Sequence, residues 1–331
     1  MVLFCALVVG LVAYIYKQHM YLSPQAYDEA VLAFNDNNPN AVIRSLEGKA
    51  ETTDERILLA SAYLQLGSVE LREADGFRLA KPLLDEVLSE NPQDSEALRL
   101  TAYGYEITED YSNAYVYYDK AIKADVSNAA AYSGKAHALA LQGRIDEAIQ
   151  NYELALAADS TLDHAQLGLA RLYIKKDINA DKVVQYLDEV VRSSLNKRFV
   201  AEAAQVKGGF LMNEGKFAEA KASFDTAIAA DATLAQAYVG RAQAGFVLFK
   251  ESTSDAEEEF SALMRDIEQA TELNPELTVA YYIGGTLMDY NGHNEIADAL
   301  YIQALDVVDR DISLSADEKM SMRAIIDEQL K

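Results

Sequence analysis

The sequence predicts an all-α protein made by stacking closely related pairs of helices, and three observations lead there. The first is internal repetition: GRIDEAIQNYELALAADS, from Gly143, is echoed by GKFAEAKASFDTAIAADA, from Gly215. What recurs is small or aromatic, Ala148 with Ala220, Tyr152 with Phe224 and Ala155 with Ala227, while charged residues vary between the copies. A duplicated catalytic site would repeat nucleophiles, bases or metal ligands, so this repetition serves packing. The second is periodicity, since apolar residues return every three or four positions, as in Leu98, Ala102 and Tyr105, or Ala114, Tyr117, Tyr118 and Ala121. The third is the lack of alternating β-branched runs in a chain of 331 residues that holds only 5 prolines.

Composition bounds the function. With 50% hydrophobic and 25% charged residues the chain lies in the globular range. Lys and Arg number 29 against 53 Asp and Glu, a formal charge of -24 that argues against nucleic acid as a partner. The single cysteine, Cys5, lies in an apolar leader, so the rest of the chain is expected to hold neither an internal disulfide nor a cysteine metal cluster.

That leader, MVLFCALVVGLVAYIYKQHMYLSP, places sixteen uncharged residues before Lys17. As a helix they extend roughly 24 Å, approaching the ~30 Å hydrocarbon core if Lys17 snorkels and Tyr21 and Leu22 sit at the interface. There is no basic amino-terminal region and no small-x-small cleavage site, and no polar face such as a surface-packed core helix would have. Cys5 follows Val2, Leu3 and Phe4 rather than the small residue that lipid modification requires. Residues 1–22 are therefore expected to form an uncleaved transmembrane anchor. Residues 23–52 read as a degenerate helical hairpin, with Tyr27, Ala30 and Ala33 followed by Ala41, Val42 and Leu46.

From Thr53 onward a 34-residue period brings the chain into register. The unit 95–128 carries Leu98, Ala102, Tyr105, Tyr111, Ala114, Tyr118 and Ala121, and the unit 129–162 supplies Tyr132, Ala136, Leu139, Gly143, Ala148, Tyr152 and Ala155. On these positions the chain resembles the tetratricopeptide repeat family, with Leu in place of the first Trp. Units 201–234 and 278–311 follow the pattern, and 163–197 needs a one-residue shift to place Val183, Leu187 and Val190. Units 53–94 and 235–277 are longer, enlarged where the first helix turns into the second, at SVELREADG after Gly67 and FKESTSDAE from Phe249. Lengthened helices are expected there, projecting past the rim and carrying Val69, Leu71, Phe77, Val247, Leu248 and Phe249 as contacts or a second binding surface. Ser254 with Glu257 and Ser315 with Glu318 read as capping boxes. The acids Glu257, Glu258 and Glu259 complement a helix dipole, and residues 312–331 form a solvating end helix with Met320, Ala324 and Ile325 on one face.

The resemblance implies a right-handed superhelical array, an α-solenoid of about seven units over residues 53–311, whose small residues let helices cross closely while an aromatic near the twenty-fourth place fills the gap to the next unit. It also implies that the first helices line a concave groove through their second, fifth, ninth, twelfth and thirteenth positions. Those positions give Tyr103, Ile107, His137, Leu141, Arg171, Ile174, Phe246, Tyr282 and Tyr290, a surface suited to an amphipathic helix or extended peptide. The family's clamp for terminal carboxylates needs lysine and asparagine, yet the fifth places here hold Ile57, Arg99, Ser133 and Leu167. Each groove aromatic is also a candidate for packing between neighbouring helices. His137 and His164 fall on successive first helices as a conceivable metal pair, although no carboxylate or cysteine stands at ligand spacing and ordinary exposed histidines are the expectation. Gly208–Gly209 and Gly284–Gly285 lie inside first helices, where close packing wants small residues, and are not phosphate loops.

No nucleophile and base pair, metal cluster or phosphate cradle is evident, so no enzyme and no cofactor is expected. The expected function is a membrane-tethered scaffold binding a protein or peptide segment in its groove, within an envelope, secretion or pilus-type assembly. The alternative is a structural subunit that self-associates through its leader or array ends. With an N-in anchor and no cysteine after the leader, the array is expected outside the cytoplasm.

Overall fold

Helix-forming sequence with left-handed turn residues at fixed intervals gives seventeen helices and no strand among the described residues. The computed structural model describes residues 24–331 apart from 37, 68–72 and 252–255. The expected anchor, Val69, Leu71 and Ser254 lie outside the described residues. No helix among those described is long and apolar enough to cross a membrane. The chain divides into two units, Met1–Ala165 and Gln166–Lys331, and each is a stack of helical hairpins of the α-solenoid kind.

In the first unit, α1 (Pro24–Asn35) and α2 (Pro39–Leu46) precede three hairpins: α3 (Thr53–Gly67) with α4 (Glu73–Glu90), α5 (Ser95–Ile107) with α6 (Tyr111–Ala124), and α7 (Ala129–Leu141) with α8 (Ile145–Ala158). The first helices also touch one another, α3 on α5 and α5 on α7. Side-chain caps start these helices: Asp94 accepts from the Ala97 amide, Asp110 from Asn113 and Asn128 from Ala131.

The helix α9 (Asp163–Lys176) runs into the second unit, which continues with α10 (Ala180–Ser193), α11 (Lys197–Asn213) paired with α12 (Phe217–Ala230), α13 (Ala235–Glu251) with α14 (Ala256–Leu273), and α15 (Thr278–Tyr290) with α16 (Asn294–Val307). The last helix, α17 (Ala316–Gln329), packs on α16. Its Ser315 and Glu318 form the expected reciprocal capping box. The face it turns inward is Met322, Ile326 and Leu330, however, leaving Met320 and Ile325 exposed. Two apolar stripes compete in that sequence, and the one at strict four-residue spacing packs.

Turn chemistry repeats with the period. The residue between paired helices is left-handed at Gly143, Gly215 and Gly292, with φ of 75°, 71° and 78°, and Glu109 and Asp177 adopt the same conformation without being glycine. At the close of the second helices, Asp125, Asp159 and Asp231 each accept from the backbone N–H and the hydroxyl of the residue two ahead, Ser127, Thr161 and Thr233. The aromatic at the twenty-fourth place fills the inter-repeat gap as expected: a Cβ on Gly134 would lie 2.5 Å from the Tyr118 ring, and Phe224 is held between Gly208 and Gly240.

Candidate partner-binding face

First-helix side chains that stay out of the hairpin cores define the candidate face, and the two units treat them differently. In the first unit Tyr103 and Ile107 stand one turn apart on α5, half-buried against the core around Leu59 and Leu100. His137, one helix on, is not an ordinary exposed histidine: its Nδ1 lies 2.6 Å from Glu106 Oε1, and the other oxygen of Glu106 accepts from Tyr118 Oη at 2.8 Å. Burial, then the charge and hydrogen bond of Glu106, push the Tyr118 phenol well above its ordinary value, which keeps it a donor. The His137 and His164 rings meet edge to face at 5.5 Å, and His164 Nδ1 shares a 2.7 Å hydrogen bond with Ser133 Oγ. The carboxylate that sequence spacing on one helix could not supply comes from the preceding repeat. No group of three or more His, Cys, Asp or Glu among the described residues is arranged to hold a metal ion. Leu141 ends the helix and is 53% exposed.

In the second unit Arg171 and Ile174 come together with residues of two further first helices around a cavity of about 440 Å³. Val206, Gly209, Phe210, Met212 and Asn213 of α11, Phe224 of α12 and Gln243 of α13 complete its lining. Arg171, Gly209 and Gln243 are the ninth residues of three successive repeats, and Ile174 and Met212 are twelfth residues. Lining residues of the cavity thus stand at places that the repeat arithmetic assigns to the expected groove. Arg171 donates to Glu202 at 2.6 Å and Gln205 to Gln236 at 2.9 Å.

The remaining predicted residues cluster apart from that cavity. Phe246 is 9% exposed and belongs to the core of its hairpin, with Lys250 over its face at 4.6 Å and the Tyr290 ring edge-on at 5.2 Å. Phe249, on the lengthened part of α13, packs near both Phe260 and Tyr290. The extension therefore makes local contacts, and Phe77 in the other enlarged unit is likewise buried, its ring against Tyr105 and over Gly104. Tyr282 is half-buried and tilts toward Tyr301, whereas Tyr290 is 54% exposed.

Residues 108–163 and 201–234 match family models described as tetratricopeptide repeat. No curated protein matches the sequence. Among solved structures the fold is similar to a chain of the APC/C hetero-tetramer Cut9-Hcn1, with a TM-score of 0.62 at 15% identity over 89% of this chain and 52% of that one. This chain thus spans about half the length of that relative. It is also similar to PilF of Pseudomonas aeruginosa, with a TM-score of 0.57 at 17% identity over 71% of this chain and 99% of that one. PilW, a type IV pilus biogenesis factor, gives 0.54 at 16% identity over 69% and 98%. Residues 108–163 and 201–234 are thus tetratricopeptide repeats, and the chain shares the solenoid fold of these proteins.

Proposed function

We propose that this protein is a membrane-tethered scaffold that holds segments of partner proteins against the groove face of its first helices. The observation that carries this reading is the cavity in the second unit, lined by equivalent positions of three successive repeats. A concave, mixed apolar and amide surface of that kind suits a peptide or helix. The tether in this reading is residues 1–22, supported by their sixteen uncharged residues before Lys17. Similarity in fold to PilF and to PilW, a pilus biogenesis factor, favours an envelope or pilus-type assembly, with the array outside the cytoplasm.

Photo-crosslinking tests the face directly. A benzophenone amino acid placed at Tyr103 or Tyr282, on first helices, is expected to trap a partner in cells, whereas one at Val116 or Ile302, exposed on second helices, is not. Adducts formed from the second-helix positions alone would overturn the groove reading. Recovery of the adduct from carbonate-washed membranes, with the leader still present on the mature chain, is the expected sign of the tether.

A further inference from the structure

The cavity in the second unit opens over a glycine that the fold itself does not require. Gly209 is exposed inside α11, its backbone is helical, and a Cβ built on it would meet nothing within 4 Å. Other glycines have visible reasons. Gly143, Gly215 and Gly292 hold left-handed turns, while a Cβ on Gly104, Gly134, Gly208, Gly240 or Gly285 would come within 2.0 to 2.7 Å of an aromatic ring. Glycine is the poorest helix former after proline, so an unneeded one in a helix interior weakens α11 without a packing return. A close approach of something from outside the chain is the remaining use for a missing side chain.

The lining states what that something is. Arg171 is its one charged side chain, in a protein whose formal charge is -24. One guanidinium N–H goes to Glu202, and the group carries five. Asn213 and Gln243 bring amides that both donate and accept, which matches a peptide main chain, and Ile174, Val206 and Met212 supply apolar walls. Building on the groove reading, we infer that the space over Gly209 is a side-chain subsite for an extended segment of a partner protein. One large apolar side chain of that segment sits against the Gly209 backbone, and an acidic neighbour faces Arg171. A second copy of this chain fits less well, because two bodies of such negative charge repel.

The test uses a displayed library of random dodecapeptides panned on the full chain in detergent, with selected peptides synthesised and titrated by fluorescence anisotropy. Expected winners pair Leu, Met or Phe with an adjacent Asp or Glu. Gly209→Leu fills the space and is expected to weaken them roughly tenfold or more, with no loss of thermal stability. Arg171→Gln is expected to weaken acidic peptides severalfold and leave their Asp→Asn versions unchanged. Winners that bind Gly209→Leu equally well would overturn the subsite and leave the groove reading standing; a library without winners would count against both. A lower melting temperature for Gly209→Leu would make the glycine structural and overturn the inference, as would self-association that Gly209→Leu abolishes.

Discussion

The first helices of the two units solve the same packing problem and leave different surfaces. Polar atoms pair across them in both, Ser133 with His164 and Gln205 with Gln236, and in the first unit buried Glu106 also joins His137 and Tyr118. In the second unit Gly209 stands at the ninth place that His137 fills in the first, and a cavity of about 440 Å³ opens across three repeats. The repeat therefore fixes where side chains project, while individual residues decide whether the face is knit shut or left open. A catalogue of groove positions cannot make that distinction, because it counts position and not partner.

The largest test of the contrast removes the aromatic wedge from each unit. Tyr118 and Phe224 occupy the same place in their repeats, and both are nearly fully buried. Either one changed to Ala is expected to cost about 3–5 kcal/mol of stability. Tyr118→Phe keeps the volume and removes only the donor to buried Glu106, so it is expected to cost about 1.5–3 kcal/mol, as for hydrogen bonds to charged groups. Denaturant titration reads both. Equal stability of Tyr118→Phe and wild type would mean that the Glu106 pair does not knit the first unit.

A finer test sits on two adjacent residues. The Phe224 ring is held between Gly208 and Gly240, and an added Cβ would lie 2.7 Å from it at Gly208 and 2.4 Å at Gly240. The ring has nowhere to retreat, so Gly208→Ala is expected to lose about 1–2 kcal/mol after its gain in helix propensity. Gly209→Ala is expected to gain about 0.5–1 kcal/mol. Opposite signs at neighbouring positions would separate a glycine kept for packing from one with no packing role; matching signs would erase the distinction.

Much of this architecture was legible in the sequence because packing repeats. Ala102, Ala114, Tyr118 and Ala121 declare their places by recurring, and the period located the helices without reference to contacts. Legibility failed where one repeat meets the next through a pair that no single repeat contains. Glu106 with His137, Ser133 with His164, Arg171 with Glu202 and Gln205 with Gln236 are each separated by 31 residues, about one helical turn less than the period. First helices thus lie side by side with a one-turn stagger, and polar pairs at that separation were a signal waiting to be searched. Gly208 and Gly209 could not be told apart for a related reason: both are glycine in a first helix, and only the position of Phe224 decides that one is packed and the other open. Phe246 holds a groove position by the repeat arithmetic, yet it is nearly buried in its hairpin with the Tyr290 ring of α15 edge-on to it.

The smallest expected effect concerns the junctions that both units share. Hydrogen bonds from the hydroxyl and then the backbone N–H two residues ahead hold Asp125, Asp159 and Asp231 below the usual carboxylate range. A carboxyl group whose folded value is depressed stabilises the fold above its unfolded value of about 3.9, and that contribution is lost as pH falls through the folded value. Changing all three to Asn keeps an acceptor for the turn and removes the charge. Asp125 and Asp159 are exposed and Asp231 is partly so, and the triple variant is therefore expected to melt only slightly below wild type between pH 5 and 8, with the gap closing as the pH drops below about 4. Melting curves across that range decide it. A gap that persists at the acid end would assign the Asp residues a role in turn geometry and not in charge. A gap confined to the variants of one unit would show that its hairpins depend on their junctions more than those of the other.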